Sequence, residues 1–341
     1  MALLDVENLS IDFSIDGRKL PAVSELSFSV EKGGILALVG ESGCGKSVTC
    51  LSLARLLPSP PALISGGKIL FNYGDTEGKA DVLKMGKRKL RKLRGGKISY
   101  IFQEPSVSLN PVFRIGSQIA EAIMLHRPEI NDVEAEIIRL LKQVGIPAPE
   151  TRINSYPHEM SGGMQQRVMI AMALASSPDL LIADEPTTAL DVTIQSQILE
   201  LLKELRNNTG MSIIIVTHNL GIVSETADNV IVMYAGHSVE SSKVSNVIAF
   251  PIHPYTQALL SAVPEIGSSV EKLSSIRGNV PPPSDFPPGC RFFGRCELCD
   301  SLSAGERSLC EKNVPAWREE RPGHFCRCHH AEKSIARRSS S

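Results

Sequence analysis

Gly34-Ile35-Leu36-Ala37-Leu38-Val39, followed at once by Gly40-Glu41-Ser42-Gly43-Cys44-Gly45-Lys46-Ser47, decides the fold. The first block is a short apolar run of the kind a buried strand needs. The second fits G-x-x-x-x-G-K-[ST], the phosphate-binding loop, and Val48 to Leu57 beyond it reads as a helix. Loop N–H groups and a helix N-terminus together form a site for phosphate oxygens. Lys46 is placed to reach the outer phosphates, and the Ser47 hydroxyl is a ligand for Mg²⁺. A glycine-rich turn that binds nothing would not need strand, helix, Lys and Ser all in place. The chain therefore reads as a nucleoside triphosphate binder.

The remaining parts of such a site follow in order. Leu180-Leu181-Ile182-Ala183-Asp184-Glu185-Pro186 is an apolar run ending in two acids. A buried strand ending at a phosphate site would carry Asp184 toward Mg²⁺ and set Glu185 where a carboxylate polarises an attacking water. Ile213-Ile214-Ile215-Val216-Thr217 is a second β-branched run, with His218 at its carboxyl end as a contact for the γ-phosphate. Ser99-Tyr100-Ile101-Phe102-Gln103 reads as a third strand, and Gln103 could reach Mg²⁺ or its water. Ser161-Gly162-Gly163-Met164-Gln165 opens a helix, with Ser161 as N-cap and two glycines leaving the backbone open. One nucleotide does not need two anion sites on one chain. Two chains facing each other would, each completing the other's site.

At these residues the chain resembles the ATPase subunit of an ABC transporter. Gly40 to Ser47 matches the family's Walker A motif, Gln103 its Q-loop and Ser161 to Gln165 its signature motif. Leu180 to Asp184 matches Walker B, with Glu185 as catalytic glutamate, Ala189-Leu190-Asp191 as D-loop and His218 as switch histidine. Ser108-Leu109-Asn110-Pro111, Met164 to Leu174, Ile182 to Thr193, His253-Pro254-Tyr255-Thr256, Gly289-Cys290 and Arg295-Cys296 are similar to the dipeptide, oligopeptide and nickel importers. That likeness covers nearly the whole chain. The implied fold is an α/β P-loop NTPase core of ABC type, with an antiparallel β-subdomain, a helical signature subdomain and a small Cys-rich C-terminal extension. The implied cofactors are ATP and Mg²⁺, the metal held by Ser47, Gln103 and Asp184. Ser161, Gly162, Gly163, Met164, Gln165 and Asp191 are implied to act in trans on the partner chain's nucleotide. Phe13 matches the position where the family stacks an aromatic on adenine. Read from its own strand, it is equally a buried phenylalanine.

With 341 residues, the chain has room for one large α/β domain and a smaller extension. Residues 1–250 read as the ATPase domain, with a helical subdomain over about 104–160, and 251–341 as the extension. In the first 35 residues, apolar alternation through Leu4, Val6, Leu9, Ile11, Phe13 and Ile15, then Leu26, Phe28 and Val30, predicts antiparallel strands. Ile115, Ile119, Ile123, then Val133, Ile137, Leu140, Leu141 and Val144 recur at helical spacing. A net charge of -1 gives no general pull toward nucleic acid. The basic run Lys84 to Lys97 reads as a solvated helix with Leu90 and Leu93 inward, since no aromatic is interleaved for base stacking. No apolar run approaches the roughly 20 residues that span a bilayer. Membrane attachment is therefore expected through partners, at the cytoplasmic face of the membrane.

Eight cysteines divide unevenly: Cys44 and Cys50 in the core, then Cys290, Cys296, Cys299, Cys310, Cys326 and Cys328. In a reducing compartment such a cluster reads as metal-binding before disulfide-bonded, with zinc, an iron–sulfur cluster and plain thiols all open. The family resemblance implies a [4Fe–4S] cluster on Cys290, Cys296, Cys310 and Cys326. Cys44, beside a helix N-terminus, is expected to favour its thiolate.

The resemblance implies partners: a second homologous, non-identical ATPase subunit, two permease subunits and an extracytoplasmic substrate-binding protein. It implies import of di- or oligopeptides driven by ATP hydrolysis. The same machinery could carry nickel or another small solute. A non-transport ABC ATPase fits less well, because the chain has one ATPase unit and no heptad arm. A sensor module built on the cysteine tail is the remaining reading.

Overall fold

The strand Ile35–Val39 is followed by the phosphate loop and a short helix, Lys46–Ser52, in the computed structural model, which describes residues 1–74, 78–188, 190–262 and 276–339. The helix stops earlier than the apolar pattern predicts. Arg55 adopts φ +53, the Leu56 N–H bonds to the Leu51 carbonyl at 2.8 Å, and the Arg55 N–H to that of Ser52 at 2.9 Å. That is a Schellman ending, with an arginine in the left-handed position usually given to glycine.

The chain divides into two compact units. The larger, Leu4–Ser29, Leu36–Leu70 and Thr217–Ser341, contains the phosphate loop and the residues from 251 onward that the sequence reading set apart as an extension. Its N-terminal strands, Ala2–Ile15 and Arg18–Glu31, pair side by side, with Ala62–Asn72 on the far side of the first. The alternation expected there is real but changes phase. Leu4 and Val6 are buried, then Leu9 and Ile11, and the switch falls at Asn8, where φ is +48. Glu25, φ +50, does the same in the partner strand between Val23 and Leu26. At both positions a serine hydroxyl takes the displaced N–H: Ser27 from Asn8 at 2.8 Å, Ser10 from Glu25 at 3.1 Å. Ile15, in phase with Leu9 and Ile11, is nonetheless exposed where the strand ends.

In the same unit, Ile35–Val39 pairs in parallel with Asn229–Tyr234, Leu36 opposite Asn229 and Val39 opposite Val232. Antiparallel pairing then continues outward through His237–Lys243, His324–Cys326 and Arg318–Arg321. Val39, Val223, Val232, Tyr234, Tyr255 and Phe292 belong to the core beneath these strands. One buried acid ties the extension to it. Glu240, fully buried, accepts the N–H groups of Ile252 and His253 at 2.7 and 2.8 Å, and its Oε1 lies 2.7 Å from His324 Nε2.

The second unit is Met1–Leu3, Val30–Ile35 and Phe71–Val216. Ile98–Ile101, Leu180–Asp184 and Ser212–Thr217 run parallel, with Ile98 opposite Leu180 and Asp184 opposite Val216. The first is shorter than expected and ends at Ile101, so Phe102 and Gln103 stand beyond the ladder. The helices Ile115–His126 and Val133–Gln143 bury Ile115, Ile119 and Ile123, and Ile137, Leu140 and Leu141, as their spacing predicts. Both pack on the helix Gly162–Leu174. The basic run forms the helix Lys87–Leu93, with Leu90 and Leu93 buried. Among the described residues, no helix is long and apolar enough to cross a membrane.

Candidate functional site

The phosphate loop turns through residues that side chains disfavour. Gly40 has φ +157 and Gly45 φ +102. A Cβ at Gly40 would run into the Met233 carbonyl oxygen, and one at Gly45 would sit 2.9 Å from that of Ala22. Only glycine lets the backbone pass this closely. Lys46 is buried, and its ammonium donates to the carbonyls of Gly40 at 2.7 Å and Glu41 at 3.0 Å. Cys44 is buried too, with its Sγ 3.8 Å from Lys46 Nζ. Burial pushes the Cys44 thiol up, against the pull of Lys46. The expected thiolate is thus overturned, because desolvation outweighs the neighbouring cation. Phe13 lies half-buried near the end of its strand, and Ser42, Gly43 and Ser47 complete the loop in the same unit. His218 is exposed just past Thr217, where Asn219 caps the next helix.

The other unit brings three predicted residues together. Asp184 ends its strand opposite Val216. Glu185 follows with φ +46, and its N–H bonds to the Val216 carbonyl at 3.0 Å. The Glu185 carboxylate accepts from Gln103 Nε2 at 3.1 Å and from the Thr188 hydroxyl at 2.8 Å. The Thr188 contact was not foreseen.

The signature segment is built as a helix start. Ser161 caps Gly162–Leu174 through the Met164 N–H at 3.4 Å. Gln165 Nε2 anchors the first turn on the carbonyls of Pro157 at 2.8 Å and Met160 at 3.2 Å. Asp191 repeats the arrangement on the helix Val192–Thr209, capping Ile194 at 3.0 Å while Gln195 Nε2 holds the Thr187 and Leu190 carbonyls at 3.1 Å each. A Cβ on Gly163 would lie 3.1 Å from Ile194 Cγ2, so its lack of side chain lets the two helix starts meet. Ala189 of the expected D-loop lies outside the described residues.

Ser47, Gln103 and Asp184, assigned from sequence to Mg²⁺, are oxygen donors, the chemistry a hard divalent cation takes. The cysteine set fares differently. Cys290, Cys296, Cys299, Cys310 and Cys328 line one small cavity with Phe292, Leu298 and Leu302. Cys326 packs with Ile252, Cys328 and Ala331, and burial and Glu240 hold its thiol well above the usual range. Burial pushes Cys290 and Cys328 up to about 12, so these thiols are neutral. Among the described residues no three His, Cys, Asp or Glu side chains are disposed to hold a metal ion. The expected four-cysteine ligand set does not fit this structure: Cys326 does not line that cavity, whereas Cys299 and Cys328 do.

Sequence reading missed the residues that hold the loop from the extension. Arg295 meets the Glu41 carboxylate with two nitrogens, at 2.7 and 3.0 Å, and the Glu41 N–H donates to the Tyr255 hydroxyl at 2.9 Å. Arg291 reaches the Ala235 carbonyl and Ser24. The only signal for Arg295 and Tyr255 was their place in the quoted Arg295-Cys296 and His253 to Thr256 segments, which carried no role.

The sequence matches two family descriptions: ABC transporter over residues 23–188, and Oligopeptide/dipeptide transporter, C-terminal region, over 239–301. It is 45% identical over 338 residues to the oligopeptide transport ATP-binding protein AppD of Bacillus subtilis, covering 99% of each chain. It is 44% identical over 309 residues to the dipeptide transport ATP-binding protein DppD of the same organism, covering 89% of this chain and 90% of that one. Among solved structures, the ATP-binding cassette MJ0796, in a dimeric post-hydrolysis state bound to ADP and Pi, is 24% identical with a TM-score of 0.61, covering 71% of this chain and 98% of that one. CbiO1 from Clostridium perfringens, part of the ABC transporter complex cbiONQ, is 29% identical with a TM-score of 0.59, covering 73% and 91%. The fold is that of an ABC ATPase cassette with mixed α/β sheets.

Proposed function

The chain belongs to the peptide-import family of ABC transporter ATP-binding proteins, and from that premise we propose that its ATP hydrolysis powers the import of di- or oligopeptides. The observation that carries this reading is the match to AppD along 99% of both chains, extension included. We infer that it works at the cytoplasmic face of a membrane, with two permease subunits, a substrate-binding protein and a second, related ATPase subunit. Residues 1–250 would form the ATPase domain and 251–341 the extension.

In this reading Gly40 to Ser47 hold the triphosphate and Phe13 stacks on the adenine. Mg²⁺, when held by Ser47, Gln103 and Asp184, neutralises phosphate charge. Ser161, Gly162, Gly163, Met164, Gln165 and Asp191 face the partner chain's nucleotide. ATP then binds the closed pair far better than the open one, and that difference in affinity is what drives closure. Glu185 takes a proton from, or orients, the attacking water. Gln103 and Thr188 fix its carboxylate. His218 holds the γ-phosphate, and its cleavage lets the pair reopen.

The test is uptake of labelled di- and oligopeptides, with labelled nickel in parallel, in cells with and without this chain. Peptide uptake is expected to be lost on deletion and restored by the native chain but not by Lys46→Ala. Loss of nickel uptake alone would move the substrate class, and no change in either flux in a strain lacking other peptide importers would defeat the transport reading.

A further inference from the structure

Glu41 is the acidic residue of the phosphate loop. A carboxylate beside the amides that receive a polyphosphate repels that ligand unless it is neutralised. The structure neutralises it from a residue 254 positions later: Arg295 Nη1 donates to Glu41 Oε2 at 2.7 Å and Nη2 to Oε1 at 3.0 Å. Arg295 is itself held on every side. Its Nε donates to the Arg277 carbonyl at 2.6 Å, Nη2 to that of Gly278 at 3.0 Å, and Nη1 to the Tyr234 hydroxyl at 3.3 Å. Its side chain is 8% exposed, against 30% for Glu41, so the cation is fixed and the acid is brought to it. The planar fork makes all these bonds at once, which an ammonium could not. Tyr255 adds a second tie through the Glu41 N–H, and its ring leans on Tyr234 with centroids 4.8 Å apart.

We propose that Arg295, in the C-terminal extension, is a positioning residue of the nucleotide site that sets ATP affinity by cancelling the charge of Glu41 and anchoring the start of the phosphate loop. This rests on the reading of Gly40 to Ser47 as the ATP site. It gives the extension a part in the ATPase itself, besides any part in assembly.

The experiment is equilibrium binding of a fluorescent ATP analogue to the full chain, with a thermal melt of each variant. Arg295→Met is expected to weaken binding about tenfold, the scale of one unpaired charge near an anionic ligand. Adding Glu41→Gln to that variant removes the repelling charge and should restore affinity to within about threefold of native. An arginine that only stabilised the fold would not be rescued this way. A double variant as weak as Arg295→Met, or unchanged affinity in Arg295→Met, would overturn the proposal. Should Arg295→Met not fold, Arg295→Gln carries the same comparison and retains donors for the two carbonyls. Lys46→Ala serves as the control. If it binds the analogue like the native chain, the ATP-site reading fails, whatever Arg295 does.

Discussion

Replacing Glu185 with Gln is expected to cut ATP turnover by about 10²–10⁴-fold while leaving nucleotide binding within about threefold of native. The substitution is close in shape, so the Thr188 and Gln103 contacts, at 2.8 and 3.1 Å, lose a charge and little else. What disappears is a base able to take or polarise a proton at the attacking water. The backbone supports such a role. A glutamate at φ +46 carries about 1–3 kcal/mol of conformational strain, and here the turn is held by the Glu185 N–H on Val216 at 3.0 Å and the Thr188 N–H on Glu185 at 3.1 Å. Strain kept at a strand's end aims a side chain that a relaxed turn would leave loose. Steady-state phosphate release and equilibrium nucleotide binding decide the matter. Turnover near the native rate would remove Glu185 from the chemistry, and lost binding would make it a structural residue.

Glu240→Ala is expected to destabilise the protein by about 3–5 kcal/mol, since it strips the acceptor from three buried groups at once. Glu240 is fully buried and closes three contacts: the N–H groups of Ile252 and His253, and the ring of His324. Alanine would leave both amides and the imidazole without their acceptor inside the core. Those amides stand where the strand His237–Lys243 meets the start of the helix Pro254–Ser261, whose Tyr255 reaches the phosphate loop. Glu240→Gln keeps one acceptor oxygen and should cost about 1–3 kcal/mol. Urea denaturation of native chain and both variants orders the three. Equal midpoints would show that the network contributes nothing. Loss of nucleotide binding in a folded Glu240→Ala would add that the helix start supports the loop.

Legibility differed from residue to residue for physical reasons. The helices Ile115–His126 and Val133–Gln143 were readable because each buries one face, and one buried face imposes a regular spacing. The phase of the N-terminal strands was not. Asn8 and Glu25 shift it by adopting positive φ, which an Asn tolerates without requiring and a Glu does not announce; the serine hydroxyls that make it tolerable lie 19 and 15 residues away. The helix after the phosphate loop ended early for a like reason, with Arg55 in a glycine's conformation. Cys44 was misjudged because its place beside Lys46 is written in the chain while its burial is not.

Contiguous motif thus settled the strand before the glycine-rich loop, the strand ending at Asp184, the cap at Ser161 and the family, because each depends on neighbours within a few residues. Tertiary structure alone settled which groups those motifs lean on. Arg295 finds Glu41 across 254 positions, His324 finds Glu240 across 84, and Cys328 rather than Cys326 joins the other thiols. The last case turns on strand geometry. Pairing of the strand His324–Cys326 sets Cys326 opposite Glu240, and the chain leaves the strand before Cys328. Spacing along a chain cannot specify such meetings, since they depend on how separate elements pack once the backbone has folded.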